Sequence, residues 1–325
     1  MQPQPLVTVV IPSFNHAAYI GAAVESVLAQ TYPNIELIIV DDGSSDDSHD
    51  VISKYEEHPK ITVRLNSENA GQSAVINQAL AIAKGEFVAF LPSDDWYLPR
   101  KTELQVQKLQ SFNETVGVVY ANGQRFFEDT GKTIDVKMPV YEGNIARLLL
   151  EKGNFIYPVT PLYRRSVFDH VRPSDQFRAE GEAIHLRIAL KYDYAHLDEN
   201  VAVMRDHSRN IGKAADIMND ELIRHREWYF SLPDLPQEIE SLKEVSLLRI
   251  YRVKAMQLIF DRQETRKGRE NIHKAIALEK LTLLKHPKLL IAYFASFLPA
   301  AWISVISRLR KKSLAKRDIF YTSQR

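Results

Sequence analysis

Two pairs of adjacent carboxylates, Asp41-Asp42 and Asp94-Asp95, lie just past two apolar runs, IELIIV and EFVAFL. Paired carboxylates are hard oxygen ligands for magnesium or manganese, which bind through one or two of them together with substrate phosphates. A diphosphate placed beside them without such an ion would be repelled. With an ion between, Asp94 and Asp95 can hold the cation that offsets charge developing on a departing nucleoside diphosphate. Each pair alone is equally what a turn or a helix cap uses. Chemistry is favoured because the pairs recur at two strand ends in phase, with the polar loop Ser13-Phe14-Asn15 at a third.

The elements that must position these residues alternate. Leu6–Pro12, Ile35–Val40, Ile61–Leu65 and Glu86–Leu91 read as buried strands, rich in β-branched or aromatic residues. Between them, Ala17–Gln30, Asp47–Glu57 and a stretch ending near Lys84 read as helices, with Gly85 as a stop. A helix near Arg100–Leu109 and a strand near Val116–Tyr120 follow. Such alternation predicts an α/β fold, a Rossmann-type, mostly parallel sheet with helices on both faces. Ligands of such sheets bind outside the carboxyl ends of the strands, where the polar clusters fall. Glu25 and Gln30, in the first helix, read as surface residues. No G-x-G-x-x-G follows the first strand and no Gly-Lys-Ser phosphate loop is present, which argues against dinucleotide and Walker-type sites.

The chain of 325 residues is 45% hydrophobic and 26% charged, which suits a globular protein with a substantial core. A formal net charge of +1 gives no global reason to expect nucleic acid. The absence of cysteine excludes disulfides and thiolate metal sites. No basic stretch precedes the short apolar run at the N-terminus, so it does not read as a signal peptide, and the expected location is cytoplasmic.

The runs VTVVIPSFNHAAYIGAAVESVLAQTYPNIELIIVDDGSSD, NAGQSAVINQALAIAKGEFVAFLPSDDW and VAVMRDHSRN together resemble family 2 glycosyltransferases of the GT-A fold, over about residues 6 to 210. The resemblance implies that Pro12, Ser13 and Asn15, in the loop after the first strand, contact the nucleotide. It likewise implies that Asp42 binds the base and that Asn69, Gly71 and Gln72 help hold the nucleotide. Asp94 would contact ribose or sugar, Asp95 would coordinate the divalent cation, manganese or magnesium, and His207 of Arg205-Asp206-His207 would touch metal or diphosphate.

At the catalytic base the chain departs from the family. Many inverting members have a Glu-Asp pair opening a helix with an arginine several residues on. Here Glu180 and Arg187 fit, but Gly181 stands at the Asp position and Glu182 is the nearest substitute. Residues two apart on a helix point in nearly opposite directions, so if the helix begins by Glu180 only one of Glu180 and Glu182 can face an acceptor hydroxyl, and either could be the base. Both also suit a helix N-terminus as acids favoured by the dipole. The implied function is inverting, metal-dependent transfer of a sugar from a nucleotide-diphosphate-sugar to a glycan or polyprenyl-linked acceptor of surface polysaccharide synthesis. The vacant Asp position leaves a non-catalytic nucleotide-sugar-binding protein as the alternative.

Beyond residue 212 the pattern is helical: Ala214–Phe230, Ile239–Phe260 and Gln263–Leu284. Leu289 to Ile306 contains no charged residue, and six Lys or Arg follow between Arg308 and Arg317. Basic residues flanking an apolar run favour an anionic membrane surface. A buried helix or subunit interface is the second reading and a transmembrane span the third. The expected organisation is a GT-A-like catalytic domain over 1–212, with a nucleotide-sugar half 1–120 and an acceptor half 121–212. A helical extension over 213–285 follows, then an apolar and basic membrane-associating tail over 286–325 on the inner face of the cell membrane.

Overall fold

The computed structural model describes residues 4–174, 176–177, 181–208, 210 and 215–315. The chain forms two compact units, one of Met1–Ala146 with Asn154–Lys213, the other of Arg147–Gly153 with Ala214–Arg325. The first unit opens with β1 (Val7–Ser13), α1 (Ile20–Leu28), β2 (Ile35–Asp41), α2 (Ser48–Ser53), β3 (Ile61–Leu65), α3 (Gln72–Ile82) and β4 (Phe87–Phe90). It continues with β5 (Trp96–Tyr97), α4 (Lys101–Gln110), β6 (Val116–Phe127) and β7 (Lys132–Val136). The chain then passes through α5 (Ala146–Lys152), nearly all of which belongs to the second unit, and returns for β8 (Leu162–Arg164), α6 (Val167–His170), α7 (Gly181–Ile188) and β9 (Asp193–Asp206).

The strands join one sheet in the order β3-β2-β1-β4-β8-β6-β9-β5, with β7 on the side of β6. From β3 to β4 every pairing is parallel, as expected. Past β4 the sheet is mixed: β8 runs antiparallel to β4 and β6, β9 parallel to β6, and β5 antiparallel to β9. β1 and β2 are buried along almost their whole length, the signature of strands covered on both faces. Ser13 pairs with Asp41 and Val10 with Phe90, so the carboxyl ends of β1, β2 and β4 lie side by side.

Two expectations change. The strand expected over Val116–Tyr120 runs on to Phe127 and turns into β7 as a hairpin. Gln30 is buried rather than at the surface: its amide donates to the Ser26 and Leu98 carbonyls and its oxygen accepts from the Thr102 amide and hydroxyl. It ties the end of α1 to the start of α4, a loop-pinning task that a helix-end glutamine does not announce. Glu25 is exposed and accepts a hydrogen bond from Tyr55 at 2.9 Å.

Lys101 opens α4 with its ammonium fully buried, donating to Gln105 and the Thr160 carbonyl and lying 4.4 Å from the Tyr97 ring centroid. Burial pulls its pKa down to about 7. The unfolded chain holds this proton up to the ordinary lysine value of about 10.4, so unfolding takes up a proton between those limits. Stability contributed by neutral Lys101 is therefore absent below pH 7 and grows with pH through the window, by up to about 1.4 kcal/mol per unit. Lys101→Met is expected to stabilise most at low pH. Its advantage in urea unfolding should shrink steadily from pH 7 to 9.5, and a pH-independent difference would show that the ammonium is not neutralised by the fold.

The second unit is helical: α8 (Ala215–Tyr229), α9 (Gln237–Glu240), α10 (Lys243–Phe260), α11 (Thr265–Leu278), α12 (Thr282–Lys285), α13 (Pro287–Ala295) and α14 (Ala300–Ala315). A Cβ on Gly268 would meet Ile259 at 2.4 Å, so α10 and α11 cross closely where only glycine fits. Their shared core holds Ala255, Ile259, Ile272 and Ala275, and it also takes in Leu289, Ala292, Ala295 and Ile303. The expected division at 285/286 thus falls inside one hydrophobic core.

Candidate active site

The loops at the carboxyl ends of β1, β2 and β4 are cross-linked by polar side chains. Asn15 adopts a left-handed backbone (φ 54°), which asparagine tolerates. Its amide nitrogen donates to Ser44 Oγ at 2.7 Å and its side-chain oxygen accepts from Ser45 N at 2.8 Å. Asp41, wholly buried, accepts from the Ser44 amide and hydroxyl and faces His49 Nε2 at 2.9 Å. Gly43 has φ 72°, and a Cβ there would stand 2.8 Å from the Glu68 carbonyl carbon, so the loops after β2 and β3 meet across a glycine.

Asp42 accepts from the backbone amides of Ala70 at 2.8 Å and Gly71 at 2.9 Å. Asp42, 4% exposed, thereby shapes the Asn69–Gln72 loop. Within that loop Asn69 and Gln72 are exposed, and Gly71, at φ 90°, starts α3. Pro12 is half-buried and Ser13 is buried, its hydroxyl without a hydrogen-bond partner. Phe14 stands out of the same loop, 44% exposed.

Asp94 sits where β4 gives way to β5, facing residues from two other parts of the fold. Its Oδ2 lies 3.0 Å from His207 Nε2 and accepts from Asn210 Nδ2 at 3.3 Å. His16, from the loop after β1, brings its Nδ1 within 2.7 Å of Ser93 Oγ. His16, Asp94 and His207 each present a ligand atom, all within 4.8 Å of one another. Two imidazoles and a carboxylate form a donor set suited to a divalent transition metal. Tyr19 lies against His207 with ring centroids 4.8 Å apart. Arg205 donates to the Asp94 carbonyl and lies over Tyr19, Trp96 and Phe126 at 5.0, 4.9 and 5.5 Å. Stacked between aromatic faces, its guanidinium holds the strand bearing His207 against the loop bearing Asp94.

Asp95 is the residue expected to coordinate the cation. It is 4% exposed and accepts the Arg205 backbone N–H at 2.7 Å. Burial, and then the adjacent Asp94 charge, holds its carboxyl well above the usual carboxylate range. Within the pair, the residue beside the two histidines is Asp94. His207 stands beside it as the sequence suggested, and His16 was missed.

For the base, Glu180 lies outside the described residues. Glu182 is the second residue of α7, and the helix begins at Gly181. Arg187, in its last turn, donates to the Arg172 carbonyl at 2.7 Å. His185 is packed, stacked on Tyr163 and 3.1 Å from the Tyr194 hydroxyl.

A parallel sheet continued by mixed strands, with its polar cluster at the carboxyl ends, is the architecture of GT-A glycosyltransferases. The mannosyltransferase PcManGT from Pyrobaculum calidifontis, solved in complex with GDP-Man and Mn2+, shares the fold, with a TM-score of 0.60, 17% identity, and coverage of 97% of this chain and 89% of that one. The family description Glycosyl transferase family 2 matches residues 8–172, and the chain belongs to that family. An uncharacterized glycosyltransferase of Nostoc sp. is 35% identical over 215 residues, 63% of this chain and 66% of its own. The Escherichia coli protein WfaP, named a UDP-Glc:alpha-D-GlcNAc-diphosphoundecaprenol beta-1,3-glucosyltransferase, is 40% identical over 123 residues, 38% of this chain and 47% of its own. The matches span 37% to 66% of the length of the first curated relatives.

Proposed function

We propose that this protein is an inverting, metal-dependent glycosyltransferase that moves a sugar from a nucleotide-diphosphate-sugar to an acceptor hydroxyl. The observation that carries this reading is the His16–Asp94–His207 cluster at the carboxyl ends of the parallel strands. A divalent cation held there supplies the positive charge that a diphosphate leaving group needs. Two imidazole nitrogens favour manganese over magnesium, whose sites are built of oxygen. In the loop after β1, Phe14 offers an exposed aromatic face for a nucleobase, and Asn69, in the loop before α3, and Gln72, the first residue of α3, offer exposed polar side chains. Asp42 fixes the loop that carries them. Arg205 keeps Asp94 and His207 in register, and Glu182 is the acid assigned to take the acceptor proton. Inversion needs only one such base and one in-line displacement. The printed activity of WfaP supports an acceptor sugar carried on a lipid diphosphate, as in surface polysaccharide assembly.

The test is thermal unfolding against a panel of nucleotide-sugars, with and without manganese. A ligand bound only by the folded state at a hundred times its Kd adds about 2.7 kcal/mol. One donor class is expected to raise the midpoint in manganese and to lose most of that effect in chelator. Phe14→Ala should weaken that donor by about tenfold, the scale of one base–aromatic stack. If no donor stabilises the protein in manganese, the reading fails.

A further inference from the structure

α13 and α14 each have one face in the core of the second unit and the other in water. Leu289, Ala292 and Ala295 of α13 and Ile303 of α14 are buried in the cluster around Ile259 and Ile272. Polar ties secure the same side: Arg269 donates to the Ser296 carbonyl, Gln263 Nε2 to Ser304 Oγ at 2.8 Å, and Arg310 lies 3.4 Å from Asp261. The outward face carries Ile291, Phe294, Phe297, Trp302, Val305 and Leu309, with Phe294, Trp302 and Leu309 each 63% exposed. Of thirteen large apolar side chains exposed among the described residues, nine fall between Leu281 and Leu309, so this is a patch and not the usual scatter.

Its charge is as one-sided as its polarity. From Leu281 to Arg317 the sequence has no Asp or Glu, while eight Lys or Arg occur there. Lys288 and Arg308, both exposed, lie three residues before Ile291 and three after Val305, at the two ends of the apolar face. Lys312 follows Arg308 at a helical spacing of four.

We propose that this face docks onto an anionic lipid bilayer, with α13 and α14 lying in the headgroup boundary. Apolar side chains enter the acyl edge while the flanking lysines and arginines meet lipid phosphates. Trp302 suits that depth, since an indole is favoured where apolar and wet regions meet. A second copy is the poorer occupant, because an isologous pair would bring two faces of the same positive sign together with no acid to answer them. The helices lie on the bilayer and do not cross it. α13 has 9 residues, a length of about 14 Å against a hydrocarbon core of about 30 Å. No helix among the described residues is long and apolar enough to span a membrane. The proposal is independent of the transferase reading, and its test measures no chemistry.

Full-length protein is floated with vesicles of phosphatidylglycerol and phosphatidylcholine, and with vesicles of phosphatidylcholine alone. Trp302 emission is followed against a Trp302→Phe control. At low salt the protein should float with the anionic vesicles at least tenfold better than with the neutral ones, with a blue shift that the control lacks. Salt should weaken binding but leave a residue from the apolar face. The double variant Phe294→Ser, Trp302→Ser changes only exposed positions, so it should keep its thermal midpoint and lose at least tenfold in vesicle binding. Absence of flotation on anionic vesicles at low salt, or wild-type binding by the double variant, overturns the proposal. So does a dimer in light scattering that the double variant converts to monomer, which would give the face to a second copy.

Discussion

Asp94→Asn is expected to remove the manganese-dependent donor binding proposed above and to lower transfer by at least about a hundredfold, the scale of losing several kcal/mol of leaving-group stabilisation. The substitution keeps the shape of the side chain and takes away the only anionic ligand atom in the His16–Asp94–His207 cluster. Asp95→Asn is expected to behave differently. Asp95 accepts the Arg205 backbone N–H in the interior, so the neutral amide is expected to replace it with a modest change in stability and near-normal metal affinity. Calorimetric titration of manganese into both variants, with donor present, separates the two. Equal losses would return the metal to the pair as a whole. Loss in Asp95→Asn alone would restore the assignment expected from the sequence.

Glu182→Gln is expected to cut turnover by about 10²–10⁴, the usual contribution of a positioned general base, with donor affinity unchanged because the base acts on the acceptor. Glu180→Gln should leave turnover nearly intact if Glu182 alone takes the acceptor proton. Single-turnover transfer alongside donor titration reads both quantities. Retention of full rate by both variants places the base on another residue. A loss of donor binding by both marks them as structural. If both bind donor normally and wild-type protein transfers to no acceptor while hydrolysing none, the chain binds nucleotide-sugars without turning them over.

The nucleotide half was legible because buried parallel strands are written as continuous apolar runs. Ile35–Val40, buried but for Glu36, stops one residue short of the Asp41 that pairs with Ser13, while Ile61–Leu65 matches its strand end for end although only Ile61 is buried. The other half was not, because its strands mix exposed and buried positions. β9 runs 14 residues through an exposed middle, and β7 lies on the sheet flank with little buried apolar surface. At the site, adjacency in sequence does not say which way each side chain turns. Asp94 and Asp95 are neighbours in the chain, yet one faces the histidines and the other the interior, a difference set by the backbone of Arg205 from β9. His16 carried no periodic signal at all. Its meeting with Ser93 spans 77 positions and exists only once β1 and β4 are paired. The one hint was its place three residues past the end of β1, within the loop already under suspicion.

The path of α5 bears on how this protein can be dissected. The chain leaves the first unit after Ala146, contributes Arg147–Gly153 to the helical unit, and re-enters at Asn154. Gly153 has no room for a Cβ because the Arg249 guanidinium of α10 fills the space at 2.3 to 2.9 Å. The two units are therefore not beads on a string. The thread is sewn from one into the other before the main C-terminal crossing near Lys213. Cutting there would leave a stitch behind, with Arg147–Gly153 and its fully buried Leu149 and Leu150 parted from the helices they belong to.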